Sequence, residues 1–180
     1  MLAHWNVNGW TLSNCELRIS LLKSLDPDFI SLNETHLCRN TLDFDGFTWF
    51  GHNRIAHKRA VKPSGGVGFL IKNAVLEQYS VDIIDKTYEG IFCLRLEHRE
   101  AQYSFILISC YLSPESSTWG RNADLYFGHL LALLYTVTDK VDSVYICGDL
   151  NSRIGDLKDY VEGDDISPRM ILQHPCNTWY

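Results

Sequence analysis

Two carboxylates stand where a fold would hand them to a ligand. Glu34 follows the apolar run Phe29-Ile30-Ser31-Leu32-Asn33, and Asp149 follows Val144-Tyr145-Ile146-Cys147-Gly148. A hard cation such as Mg²⁺ takes oxygen ligands, keeps several of its waters and needs only one or two protein carboxylates. Each residue also has an ordinary reading. A Glu after a strand is commonly a surface residue or half of an ion pair, and Gly-Asp is a common turn, with Gly148 permitting either a sharp bend or the close approach of a ligand. Two amides, Asn6 and Asn151, and one phenol, Tyr111, complete the set. Phosphodiester cleavage needs an in-line water, a cation to neutralise growing charge, and donors on the non-bridging oxygens. Amides and a phenol supply such donors without adding negative charge. Taken alone, Tyr111 reads as an ordinary aromatic at a strand end.

The elements that must position these residues alternate along the chain. Strands are predicted at Ala3–Val7, Phe29–Asn33, Phe47–Phe50, Val67–Lys72, Tyr79–Ile84, Ile91–Glu97, Tyr103–Leu112 and Val144–Cys147. A helix is predicted over Ser13–Leu25, where Leu17, Leu21 and Leu25 recur every four residues and Ser13 or Asn14 can cap it. A second is predicted over Asn122–Thr138, with Leu130, Leu134 and Val137 on one face. Strands mixed with two long helices point to α/β or α+β architecture. The adjacent hairpins in the middle of the chain exclude all-parallel sheets. Asn6, Glu34, Tyr111, Asp149 and Asn151 all fall at or just past predicted strand ends, where α/β sheets gather ligands. They are therefore expected to converge on one cleft.

Composition narrows the class. At 180 residues the chain is read as a single domain, 1–180, and 46% hydrophobic with 21% charged residues is globular rather than disordered. No apolar run approaches the roughly 20 residues of a membrane helix, and the start, MLAHWNVNGW, lacks a basic region followed by an apolar one. An intracellular protein, nuclear or cytoplasmic, not secreted and without a membrane partner, is expected; no protein partner can be inferred. The net charge of −6 weighs against a pure nucleic-acid-binding module but not against a nuclease, whose metal site needs carboxylates. Gly46–Leu76 has no acid but carries Arg54, Lys58, Arg59, Lys62 and Lys72, which suits either a phosphate backbone or a solvated loop and strand edge. Of the six cysteines, none sits within four residues of another, so no zinc-knuckle spacing exists; Cys93, Cys110 and Cys147 read as reduced core thiols.

The ordered set is more specific than any member. Trp5-Asn6-Val7-Asn8-Gly9, Asn33-Glu34-Thr35-His36, Ser64-Gly65-Gly66-Val67-Gly68, Tyr111 and Gly148-Asp149-Leu150-Asn151 follow one another from Trp5 to Gly155. This resembles the endonuclease/exonuclease/phosphatase superfamily. The wording WNVNG, ETHL and GDLNSRIG is most similar to the endonuclease domains of non-LTR retrotransposons, relatives of the abasic-site endonucleases. The resemblance implies a four-layer sandwich of two mixed β-sheets flanked by helices. It implies Mg²⁺ or Mn²⁺ as cofactor and DNA as partner. By position, Glu34 matches the metal-binding Glu and Asn6 the Asn that helps place the metal and the phosphate. Asp149 matches the Asp that orients or deprotonates the attacking water. Asn151 and Tyr111 match the groups at the scissile phosphate, and Asn8 stands where some relatives carry Asp. The chain departs from the family pattern after Asn151. Relatives close with a strand bearing an Asp-His pair, whereas here the only later histidine, His174 in Gln173-His174-Pro175, follows no apolar strand. The C-terminal part of the domain is therefore read as missing. Three readings stand: a metal-dependent DNA-nicking endonuclease of retrotransposon origin, a truncated and inactive fragment of that domain, or a phosphodiesterase of the same fold acting on a lipid or nucleotide.

Overall fold

A computed structural model describes residues 1–10, 12–39, 41–54, 64–114 and 122–151, with the backbone alone for 12–15. The elements in chain order are β1 (Leu2–Asn6), α1 (Leu12–Ser24), β2 (Phe29–Asn33), β3 (Phe47–His52), β4 (Val67–Lys72), α2 (Asn73–Gln78), β5 (Tyr79–Asp85), β6 (Ile91–His98), β7 (Ser104–Tyr111), α3 (Ala123–Val137) and β8 (Ser143–Asp149). All eight predicted strands and both long helices are present, their ends moved by no more than two residues. The short α2 has too few residues to show a helical period in sequence. Among the described residues no helix is long and apolar enough to cross a membrane.

The strands form two four-stranded sheets, in the orders β1-β2-β4-β3 and β5-β6-β7-β8. β1 lies parallel to β2 and β7 parallel to β8; the other neighbours are antiparallel. Each sheet is thus mixed, as expected. Side chains alternate across a strand, and this sorts the core into layers. Phe92, Leu94 and Leu96 of β6 meet Phe105 and Leu107 of β7 and Phe69 of β4 between the sheets. Ile91 and Cys93 point the other way, joining Ile106, Ile108 and Cys110 under Tyr126, Leu130, Leu133 and Val137 of α3. Ile30, Leu32 and Leu70 form the outer face of the first sheet, covered by Leu22 of α1 and by Leu42 and Phe44. The result is the four-layer sandwich. Every residue of β7 is buried, which is why its sequence is one apolar run rather than an alternation.

Two helix faces differ from expectation. The Leu17, Leu21 and Leu25 stripe of α1 faces outward, with Leu17 79% exposed, while Leu22 is 3% exposed and packs inward. A four-residue repeat marks a stripe on a helix but not the side that meets the sheet. Here that side is chosen by Leu22 and by Arg18, whose guanidinium lies 5.6 Å from the Trp5 ring centroid and bonds the Gly9 carbonyl. In α3 the buried positions are Tyr126, Leu130, Leu133 and Val137, with Leu134 only partly covered. Asn122 caps that helix, its side chain accepting from Leu125 N at 3.1 Å.

The expected core thiols are in place. Cys93 and Cys110 are buried and free, and burial pushes the first up to about 12 and the second up to about 11. Cys147 is half-buried.

Replacing Phe92 by Ala is expected to lower stability by about 3–5 kcal/mol in urea unfolding, because the cavity opens between two sheets that cannot collapse onto it. Leu17→Ala should stay within about 0.5 kcal/mol of the parent, as an exposed residue does. A large loss at Leu17 would place the α1 stripe against the sheet.

Candidate active site

β1 and β2 are parallel, so both deliver their C-terminal ends to the same edge of the molecule. Their pairing runs on past the strands: Val7 N donates to Asn33 O (3.0 Å), Gly9 N to Glu34 O (2.6 Å) and Trp10 N to Thr35 O (2.8 Å). The segment after β2 is also tied to the turn before β4, with Thr35 N on Gly66 O (3.2 Å) and His36 N on Gly65 O (2.8 Å). Gly66 is required there: its φ is +93°, and a Cβ would stand 2.4 Å from Thr35 Oγ1. Of the five described non-glycine residues with positive φ, four lie around this edge, namely Asn8 (44°), Glu34 (52°), His36 (51°) and Asn151 (47°). Left-handed backbone at non-glycine residues persists only where surrounding bonds over-determine it, and such strain gathers at functional sites.

The predicted residues meet here. Asn6, the last residue of β1, donates from Nδ2 to Glu34 Oε1 and to Asp149 Oδ2, each at 2.8 Å. An amide NH₂ has two protons, one for each carboxylate. Its orientation is fixed because Oδ1 accepts from Asn8 N at 3.1 Å. The two carboxylates therefore lie within two hydrogen-bond lengths of each other. The other Glu34 oxygen faces His36 Nε2 at 3.5 Å, and Asp149 Oδ1 accepts from Asn151 N at 2.9 Å. Tyr111, the last residue of β7, ends at the same edge; burial first, and the Glu34 carboxylate second, push its phenol well above the ordinary range, so it remains a neutral donor. Asn151 lies at the lip, its Nδ2 donating to Leu112 O at 2.8 Å. His4, Trp5, Asn6, Gly148, Asp149, Leu150 and Asn151 line an open cleft of about 480 Å³. A Cβ on Gly148 would stand 1.9 Å from Cys110 O, so only glycine lets β8 carry Asp149 this close to β7.

All five predicted site residues are thus at one edge; Asn6, Glu34, Asp149 and Asn151 form a continuous hydrogen-bonded set, and Asn6, Asp149 and Asn151 line the cleft itself. The basic stretch fares differently. Lys72 pairs with Asp26 (2.6 Å) at the far end of β4, and Arg54 is buried in an ion pair with Glu89. Neither is presented to a phosphate backbone. Lys58, Arg59, Lys62 and His174, and the end of the GDLNSRIG motif, lie outside the described residues. Sequence reading missed the polar layer under the cleft: Ser31 Oγ to Ser109 Oγ (3.0 Å), Ser109 Oγ to Asn33 Oδ1 (2.9 Å) and Asn33 Nδ2 to Cys110 O (2.6 Å). Its only sequence signal is polar residues inside apolar strands.

The donors fit a hard cation. Glu34 and Asp149 are like charges held side by side and, among the described residues, no Lys or Arg forms an ion pair with either. Their oxygens and the Asn6 carbonyl are the ligand type that Mg²⁺ or Mn²⁺ takes.

The chain belongs to the endonuclease/exonuclease/phosphatase family, whose sequence profile matches residues 3–161. Solved structures agree in fold. The AP endonuclease LMAP of Leishmania major superposes with a TM-score of 0.68 at 18% identity, over 90% of this chain and 58% of that one. The human Nocturnin catalytic domain with bound sulfate anion gives 0.57 at 18%, over 85% and 64%. D. rerio TDP2 complexed with single strand DNA product gives 0.53 at 18%, over 84% and 60%. The chain thus spans less than two thirds of the length of each. No curated protein sequence matches it significantly.

Asn6→Ala is expected to lower stability by about 1.5–3 kcal/mol in urea unfolding, since it leaves two carboxylates facing each other without their shared donor. Asn8→Gly keeps the left-handed backbone and should change stability by less than about 0.5 kcal/mol. Equal effects at the two positions would deny the Asn6 amide its bridging role.

Proposed function

We propose that the protein is a divalent-metal-dependent phosphodiesterase that nicks DNA. The observation that carries this reading is the Asn6 amide holding Glu34 and Asp149 together at one edge of the two sheets, where Tyr111 also ends. Glu34 and Asn6 would hold Mg²⁺ or Mn²⁺, and the bound cation would supply positive charge against the charge growing on the phosphate. The chain's own groups do the rest. Asp149, with one oxygen on Asn6 and the other on Asn151 N, is oriented to align a water and take its proton. Tyr111 donates its phenolic proton to a non-bridging oxygen without bringing charge. Asn151 holds the phosphate at the lip of the cleft. DNA as the substrate is favoured by the AP endonuclease and the DNA-product complex among the similar structures, and the wording WNVNG, ETHL and GDLN favours a retrotransposon-type endonuclease among the family's members.

One observation favours a second reading, in which this chain is the front part of a longer catalytic domain and is inactive alone. Among the described residues β1 and β8 are edge strands, and Tyr145 and Ile146 of β8 are about half exposed. Open apolar edges are normally paired or covered.

Nicking of supercoiled plasmid in Mg²⁺ or Mn²⁺ tests both readings. The first expects open-circle product from the parent chain and a loss of about a hundredfold or more in Asp149→Ala. Folded, soluble protein with no nicking in either form would leave the second. By calorimetry, Glu34→Ala should weaken Mg²⁺ binding by more than the roughly 10–100-fold typical of losing a residue that only braces a ligand. Unchanged affinity would remove Glu34 as the main ligand.

A further inference from the structure

Glu34 has two oxygens with different neighbours. Oε1 accepts from Asn6 Nδ2 at 2.8 Å. Oε2 faces His36 Nε2 at 3.5 Å, with the two side chains 21% and 28% exposed. That spacing is long for a hydrogen bond, whose N to O distance centres near about 3.0 Å. It is the spacing of two ligands on one ion. An oxygen and an imidazole nitrogen, each about 2.1 Å from a tetrahedral cation, stand about 3.4 Å apart.

The backbone fixes where the imidazole stands. His36 is left-handed at φ 51°, and its N–H donates to Gly65 O at 2.8 Å. Glu34 is left-handed at 52°, and its carbonyl accepts from Gly9 N at 2.6 Å. Thr35 between them is fully buried and tied on both sides, its N–H to Gly66 O and its carbonyl to Trp10 N. The ring rests against Gly9, where a Cβ would stand 3.1 Å from Nδ1. Any side chain at that position would crowd the ring. Nδ1 therefore lies toward Gly9 while Nε2, a nitrogen able to bind a metal, faces the carboxylate.

An imidazole changes which ion a site prefers. Mg²⁺ takes oxygen and keeps its waters, whereas Co²⁺, Ni²⁺ and Zn²⁺ accept nitrogen readily. We propose that His36 Nε2 is a ligand of the divalent cation beside Glu34, and that it biases this site toward first-row transition ions over Mg²⁺. This rests on the phosphodiesterase reading, in which Glu34 is the main ligand, and deepens it.

Co²⁺ is the probe. Its unpaired electrons shift the ring N–H proton of a bound imidazole far outside the ordinary proton NMR range. The Co²⁺-loaded parent chain should show such an exchangeable proton. It should vanish in His36→Asn, a residue that tolerates left-handed backbone, and persist in His4→Asn, since His4 also lines the cleft. By calorimetry, His36→Asn should weaken Co²⁺ binding by about tenfold or more and Mg²⁺ binding by less than about twofold. If His36→Asn does not fold, His36→Gln carries the same comparison. No shifted proton in the parent, its survival in the His36 variant, or equal losses for the two ions would overturn the proposal; in the last case His36 only braces Glu34. Plasmid nicking is read separately. A His36-dependent proton without nicking in any ion would leave the ligand in place and remove the phosphodiesterase reading. Nicking without that proton would do the reverse.

Discussion

The structure depends on a buried polar join between its two sheets. Asn33 and Ser31 of β2 and Ser109 of β7 are fully buried, in a layer where their neighbours are Phe, Leu and Ile. A buried amide or hydroxyl without a partner costs about 1–3 kcal/mol, so these groups tolerate one relative placement of the sheets, the one that satisfies them. Each hydroxyl has one proton. Ser109 gives its proton to Asn33 Oδ1, so Ser31 gives its proton to Ser109, and His4 Nδ1 (3.1 Å away) donates to Ser31. Asn33 Nδ2 closes the set on the Cys110 carbonyl. Apolar contacts between sheets can slide by a fraction of a residue at small cost; this set cannot. It lies one residue from Glu34 on one sheet and one residue from Tyr111 on the other.

That registration is what lets distant chain segments share one amide. Asn6 and Asp149 are 143 residues apart and belong to different sheets, yet one nitrogen bonds Asp149 and Glu34 together. The backbone around them is built to the same end. Parallel pairing of β1 with β2 and of β7 with β8 brings four strand ends to one side. The left-handed turns at Glu34, His36 and Asn151 then bend the chain sharply after each strand. Strain at these turns is held by the hydrogen bonds to Gly65, Gly66 and Leu112, which belong to neighbouring strand ends.

Charge is used locally rather than in bulk. The chain is net acidic, and the two site carboxylates are neutralised by neither Lys nor Arg among the described residues. The nearby guanidinium of Arg54 is committed to Glu89. The edge built this way gathers carboxylate oxygens and uncharged polar groups, the Tyr111 phenol and the Asn6 and Asn151 amides, at neighbouring strand ends. That division suits a phosphate held between a cation and neutral hydrogen bonds.

Much of this was legible in the residues alone. Strand runs such as Phe29–Asn33 and Val67–Lys72 are short apolar segments bounded by turn residues, and the candidate site residues were legible as an ordered set at strand ends although each one alone has an ordinary structural reading. Helix orientation was not legible: the Leu17, Leu21 and Leu25 spacing is a local property, whereas the buried face of α1 follows from Leu22 and from the contact of Arg18 with Trp5 and Gly9 across nine or more residues. Arg54 reads from sequence as a free cation in a basic stretch; only the fold brings Glu89 and Ser113 to it, from 35 and 59 residues away. The sequence by itself determined which segments become strands and which polar groups end them, because those depend on periodicity within a few residues. The tertiary structure alone decided which of those groups meet, because the amide, the carboxylates and the guanidinium find their partners through sheet pairing and the buried polar join, and no local pattern encodes either.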